Sequence, residues 1–227
     1  MIKNLAVAIS IFCIHLCNAQ NVYLSKVEKT NNNTDKFLYK KAETITDAEY
    51  LGEIEVQGFS KDDAAVFSLI YKKAKEIGAN TFSFKPFENI DGTPQPLNPA
   101  NYKIALYYTP KEKLKDQEGK LYVFASSDKE QKISINKKDY LLSPRSYLTQ
   151  DTIPGEVYII STKKLLGSTI KVQANKETLY FQVSSLRIKS DTSGTGGLNL
   201  KSGDIIGLEK SYAEFLSLIY TKMNSKL

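Results

Sequence analysis

Residues 120–185 read KLYVFASSDKEQKISINKKDYLLSPRSYLTQDTIPGEVYIISTKKLLGSTIKVQANKETLYFQVSS, and this stretch decides the fold. Apolar and polar residues alternate in short runs, broken by turn formers such as Asn136-Lys137, Pro144, Pro154-Gly155 and Gly167. A period of two between such breaks is the signature of β-strands. The pattern predicts strands at 120–125, 132–136, 140–142, 146–149, 156–161, 168–173 and 178–185. So many short strands in so few residues imply a small antiparallel β-sandwich over residues 120–187.

On the N-terminal side, TPKEKLKDQEG at 109–119 is charged, poor in apolar residues and bounded by Pro110 and Gly119. It reads as an interdomain linker, 110–119, closing a first domain of residues 20–109. Within that domain Asn21–Lys29 reads as a short strand, and Ile54 and Val56 alternate in a strand over Tyr50–Gly58. Ser60 can cap a helix whose first turn holds Asp62 and Asp63. Phe67, Ile70, Tyr71, Ala74 and Ile77 then recur at helical spacing, and Gly78 suits the residue after the helix end. Strands at Thr81–Phe87 and Tyr102–Tyr108 flank a loop punctuated by Pro94, Pro96 and Pro99. The fold class is therefore α+β: a small β-α-β-β domain, the sandwich, and a tail over 188–227. That tail opens on a flexible stretch, Lys189–Gly197. It closes in an amphipathic helix with Leu208, Tyr212, Phe215, Ile219 and Met223 on one face.

The first nineteen residues read differently. Lys3 precedes an apolar run from Leu5 to Leu16, and Cys17-Asn18-Ala19 ends in small residues. This is the pattern of an export signal cut between Ala19 and Gln20. His15, Cys13 and Cys17 all lie inside it, so a chain starting at Gln20 has no His, no Cys and no Trp. That removes the imidazole base, the thiolate nucleophile and the usual zinc ligands together. Neither cysteine has the upstream residues of a lipid-attachment site, which favours plain export over a lipoprotein. No later apolar run approaches the roughly 20 residues of a membrane-spanning helix. The expected destination is the periplasm, cell surface or medium of a bacterium, the Lys-, Asn- and Ile-rich, Arg-poor composition pointing to that source. That source also discounts the glycosylation pattern at Asn32-Asn33-Thr34.

The net charge of +6 becomes +5 without Lys3. Its basic residues are lysines apart from Arg145 and Arg187, and acids are interleaved with them. Nucleic-acid readers favour arginine, so these lysines read as solvated surface and not as a nucleic-acid footprint.

Two resemblances extend this reading. Tyr71-Lys-Lys-Ala74-Lys-Glu-Ile77-Gly78-Ala79-Asn80-Thr81-Phe82 resembles the helix-to-strand junction of RcsF-type and YbjQ-like bacterial envelope domains. Residues Ser134–Tyr140, Ser146-Tyr147-Leu148 and Ile153-Pro154-Gly155-Glu156-Val157-Tyr158 resemble PEGA-like, immunoglobulin-like sandwich domains of bacterial envelope proteins. That second resemblance implies a non-catalytic module.

The remaining chemical motifs have simpler readings. Ser161-Thr-Lys-Lys164 matches S-x-x-K, the nucleophile pattern of penicillin-recognising enzymes, but falls at a strand end and lacks the partner motifs. Gly194, Gly196 and Gly197 do not space as a phosphate loop. Asp62-Asp63 and the Asp128/Glu130 pair sit at a helix start and a turn. Asp191–Thr195 lacks the D-x-[DN]-x-[DN]-G spacing of a calcium loop. No cofactor, metal or catalytic residue is therefore assigned. The expected function is an exported, non-catalytic structural or protein-interaction module, its partner an envelope protein or a surface polymer. The first alternative is binding of carbohydrate or envelope polymer through Tyr and Lys on the sandwich. The second is a hydrolase using carboxylates or Ser/Lys chemistry.

Overall fold

The structure, a computed structural model, describes residues 20–114, 118–162, 167–183, 201–202 and 204–223. Residues 1–19, where the export signal is expected, Lys163-Lys164 and the 189–197 stretch lie outside these residues. Among the described residues the chain is mainly β, with two α-helices and several sheets. It forms two compact units, residues 20–34 with 48–108, and residues 35–47 with 109–223.

The first unit contains β1 (Asn21–Val27), β3 (Glu49–Gln57), α1 (Asp63–Glu76), β4 (Thr81–Lys85) and β5 (Asn101–Tyr108). The strands run in the order β1-β3-β5-β4, each antiparallel to its neighbour. β3 and β4 are thus parallel, joined through α1, with β5 inserted between them. Alternation sends Leu24, Ile54, Val56, Ile104, Leu106 and Phe82 to one face, where Val66, Ile70 and Ala74 of α1 also bury. Phe67 and Tyr71, expected on that face, are only half-buried and pack on each other.

Asp62, not Ser60, caps α1: its carboxylate accepts from the Ala65 amide at 2.9 Å. Ser60 instead accepts from the Asp62 amide at 3.0 Å, supporting the cap from one turn earlier. The C-terminal end follows the sequence reading. Gly78, at φ +77°, donates to Lys75 and Ala79 donates to Ala74, closing a Schellman motif. β1 pairs with β3 through a register shift between Leu24 and Lys26. Gly52 permits this, since a Cβ there would stand 2.3 Å from the Lys26 carbonyl oxygen.

The second unit carries all seven strands predicted from its sequence: β6 (Lys120–Phe124), β7 (Gln131–Ile135), β8 (Lys138–Leu142), β9 (Ser146–Asp151), β10 (Val157–Thr162), β11 (Thr169–Gln173) and β12 (Leu179–Val183). β13 (Lys201–Ser202), β14 (Ile205–Gly207) and β15 (Thr221–Lys222) add to them. A four-stranded sheet, β11-β10-β7-β8, and a six-stranded sheet, β13-β14-β12-β6-β9-β15, share one core. That core holds Leu121, Val123, Ile133, Leu148, Ile160, Phe181 and Ile205.

The sheets are not purely antiparallel, which corrects the expectation. β12 runs parallel to β6, and β15 runs parallel to β9. Antiparallel neighbours can be linked by tight turns, whereas both parallel pairs join strands distant in sequence, which alternation along a single strand does not encode. The β7–β8 hairpin turns on Asn136 and Lys137 at φ 47° and 70°, the two left-handed residues of a type I′ turn. Asn136 is further fixed by Ile159, whose amide donates to its side-chain oxygen at 2.8 Å.

α2 (Lys210–Ile219) is shorter than the predicted tail helix. Glu209 caps it through the Ser211 and Tyr212 amides, so Leu208 precedes it, and the Leu208 amide bonds to the Tyr180 carbonyl. Tyr220 turns extended, and Met223 lies beyond β15, donating to the Tyr147 carbonyl and packing on the sandwich core. The buried face is Ser211, Ala213, Phe215, Leu216 and Ile219, with Tyr212 half-exposed. The helix docks on its own unit, against β12 and the segment around β2 (Tyr39–Lys40). There Leu38 is fully buried and donates its amide to Ser211 Oγ at 3.1 Å. The Lys40 amide donates to the Glu214 carboxylate, and Lys210 lies 4.7 Å from the Tyr39 ring centroid.

Candidate functional site

Among the described residues, the motifs singled out in the sequence do not converge. Ser161 lies on β10, its hydroxyl 2.9 Å from that of Thr169 across the β10–β11 pairing. It therefore sits at no helix N-terminus. Asp62 is occupied as a cap, and Asp63 is buried in the first turn of α1. Asp128 and Glu130 are exposed residues between β6 and β7. Among the described residues no three His, Cys, Asp or Glu side chains form a metal-binding group. Asp191–Thr195 and Gly194–Gly197 fall outside those residues.

The first unit does assemble a polar constellation that sequence reasoning missed. On the sheet face away from α1, Glu53 of β3 is buried. Its Oε1 accepts from Tyr50 Oη at 2.5 Å and from Lys85 Nζ of β4. Burial alone would raise the Glu53 carboxyl, but the hydrogen bonds from Lys85 and Tyr50, aided by the charge of Lys103, hold it below the usual carboxylate range. Burial first, and the Glu53 hydrogen bond second, push the Tyr50 phenol far up. Tyr107 packs edge-on against Tyr50, its ring centroid 5.7 Å away. The carboxylate is ionised and the phenol protonated at neutral pH, and each satisfies the other. The arrangement ties β3 to β4 across β5, and holds the carboxylate ionised by its partners. A faint signal was present: Glu53 and Glu55 alternate with Ile54 and Val56, but the pairing that brings Lys85 across β5 is not written in spacing.

In the second unit the aromatic residues make a row on the outer face of the six-stranded sheet. Tyr122 stands 5.2 Å from Tyr180, 5.9 Å from Tyr147 and 6.1 Å from Phe124, with interplanar angles of 35°, 25° and 15°. Phe124 in turn meets the Tyr220 ring edge-on. The contacts of Tyr122 with Phe124 and Tyr147 are stacked and that with Tyr180 is tilted. Phe124 and Tyr147 are buried, so the row does not present an open platform of rings. Burial, with the Glu214 and Asp151 charges behind it, raises the Tyr122 phenol.

The outer face of the four-stranded sheet is different. Along β10, Tyr158 and Ile160 point into the core, while Val157 and Ile159 on the opposite side are 50% and 37% exposed. Ile159 lies opposite Lys171 of β11, and Val157 opposite Gln173. On the far strands, Lys132 of β7 lies opposite Leu141 of β8, which is also exposed. β11 and β8 are the two edges of this sheet. The surface thus carries an aliphatic pair at the start of β10, before its pairing with β7 begins at Ile160, with Lys171 beside it and Lys132 toward the other end of the strand. Alternation predicts the inward set, but which strands neighbour β10, and so which lysines surround Val157 and Ile159, depends on the pairing.

No protein-family model matches the chain, and comparison with curated proteins and with solved structures finds no similar protein.

Proposed function

We propose that this protein is an exported, non-catalytic module of the bacterial envelope that works by binding another protein through its β-sandwich. One observation carries the reading: Val157 and Ile159 stand side by side on an outer sheet face, exposed, while their neighbours along the strand fill the core. Burying such a pair on association is favourable by roughly 1 kcal/mol or more per side chain, so a partner surface gains from covering them. Export rests on the Lys3 to Ala19 pattern, and the loss of His15, Cys13 and Cys17 with it leaves little nucleophilic chemistry. Polymer binding ranks lower because Tyr122, Tyr147 and Tyr180 pack on one another, with Tyr147 buried.

The test is capture of the full chain, tagged at its C-terminus, from fractionated envelope of the native cell. One protein should co-fractionate at near-stoichiometric yield, with a mature N-terminus at Gln20 read by mass spectrometry. Recovery of the chain alone, from the cytoplasm, would sink the reading.

A further inference from the structure

We infer that the outer face of the β11-β10-β7-β8 sheet docks a protein surface whose apolar centre is ringed by carboxylates. This rests on the binding role proposed above and adds the place and the chemistry of the partner. The aliphatic patch is Val157 and Ile159, at the start of β10. Lys171 stands directly opposite Ile159, Lys137 lies in the β7–β8 turn, and Lys132 of β7 lies farther along the face, level with the end of β10. All three lysines are exposed and have no carboxylate partner among the described residues. Several lysines elsewhere are matched: Lys26 with Glu28, Lys73 with Glu76, Lys85 with Glu53, Lys120 with Asp151. On the outer face of these four strands the one carboxylate is Asp139, across from Ser134. The surface therefore carries an apolar pair with uncompensated positive charge beside it and along the same face.

Other occupants fit less well. A second copy of the chain would set lysine against lysine across the contact. A lipid surface calls for apolar groups that reach roughly 5–10 Å past the headgroups. Short β-branched side chains on a sheet face do not reach that far. A polyanion would use the lysines and leave Val157 and Ile159 wet. A protein patch with Asp or Glu around aliphatic residues uses both features, and charge complementarity sets its register.

A photo-reactive residue placed at Ile159 in the full chain tests this in native envelope, with position Leu69 on α1 as the control. The expected product is an adduct to one protein whose linked peptide carries more Asp and Glu than Lys and Arg. The pair Lys132→Glu and Lys171→Glu should cut that adduct at least tenfold, while Lys132→Arg with Lys171→Arg retains it. Circular dichroism of each variant shows that the fold is kept. An adduct to lipid, polysaccharide, a second copy or a basic peptide overturns the inference, as does one that survives charge reversal. So does equal labelling from position 69. General lysine cross-linking of the unsubstituted chain separates the two failures. A partner found that way without an adduct at 159 overturns the docking face and keeps the binding role; no partner by either route sinks both.

Discussion

Single positions carry sharp consequences. At Gly78 a Cβ would lie 1.7 Å from the Asn31 carbonyl oxygen, and φ is +77°. Gly78→Ala should therefore destabilise the protein by more than the about 1–2 kcal/mol of a left-handed L-residue alone, read as a lower denaturant midpoint. Lys137 shows the opposite case. It is held at φ 70° in the β7–β8 turn, so Lys137→Gly should raise stability by about 1 kcal/mol in the same measurement. Glu53 gives a pH signature. Its folded pKa is lowered, so its contribution is fully present above the unfolded value near 4.5 and is lost as pH falls through the folded one. Glu53→Gln should flatten the acid limb of the stability curve and cost about 1–2 kcal/mol at neutral pH. Gly78 was legible in the sequence because a helix end dictates its own local chemistry. Glu53 was not, because its partner Lys85 reaches it across the intervening β5.

At the scale of elements, β6 to β12 were legible to within a residue or two because each is bounded by its own turn, whereas β13, β14 and β15 were not. The helix ends were less so. Ser60 and Asp62 are both competent caps, and only the path of the chain chooses Asp62. For the tail, Leu208 and Met223 continue the helical spacing of Phe215 and Ile219. Yet backbone bonds to Tyr180 and Tyr147 draw both flanks into the sheet instead. The docked face of α2 is a core, with Phe215 and Leu216 fully buried. Phe215→Ala should cost about 3–5 kcal/mol, measured by thermal or denaturant unfolding. A loss below about 1 kcal/mol would show that the helix is detachable.

At the scale of the whole molecule, the features hardest to read were those joining distant parts of the chain. The parallel pairing of β12 with β6 is one, and the membership of residues 35–47 in the second unit is the other. Nothing in the sequence near Leu38 announces a partner 173 residues away. The union has a kinetic meaning. A chain made, or threaded across a membrane, from its N-terminus presents Leu38 and Tyr39 long before Ser211 and Glu214 emerge. The second unit can close only when its last helix arrives, so its slowest step should track completion of the chain. Until then those two residues are a short apolar flag for holding chaperones.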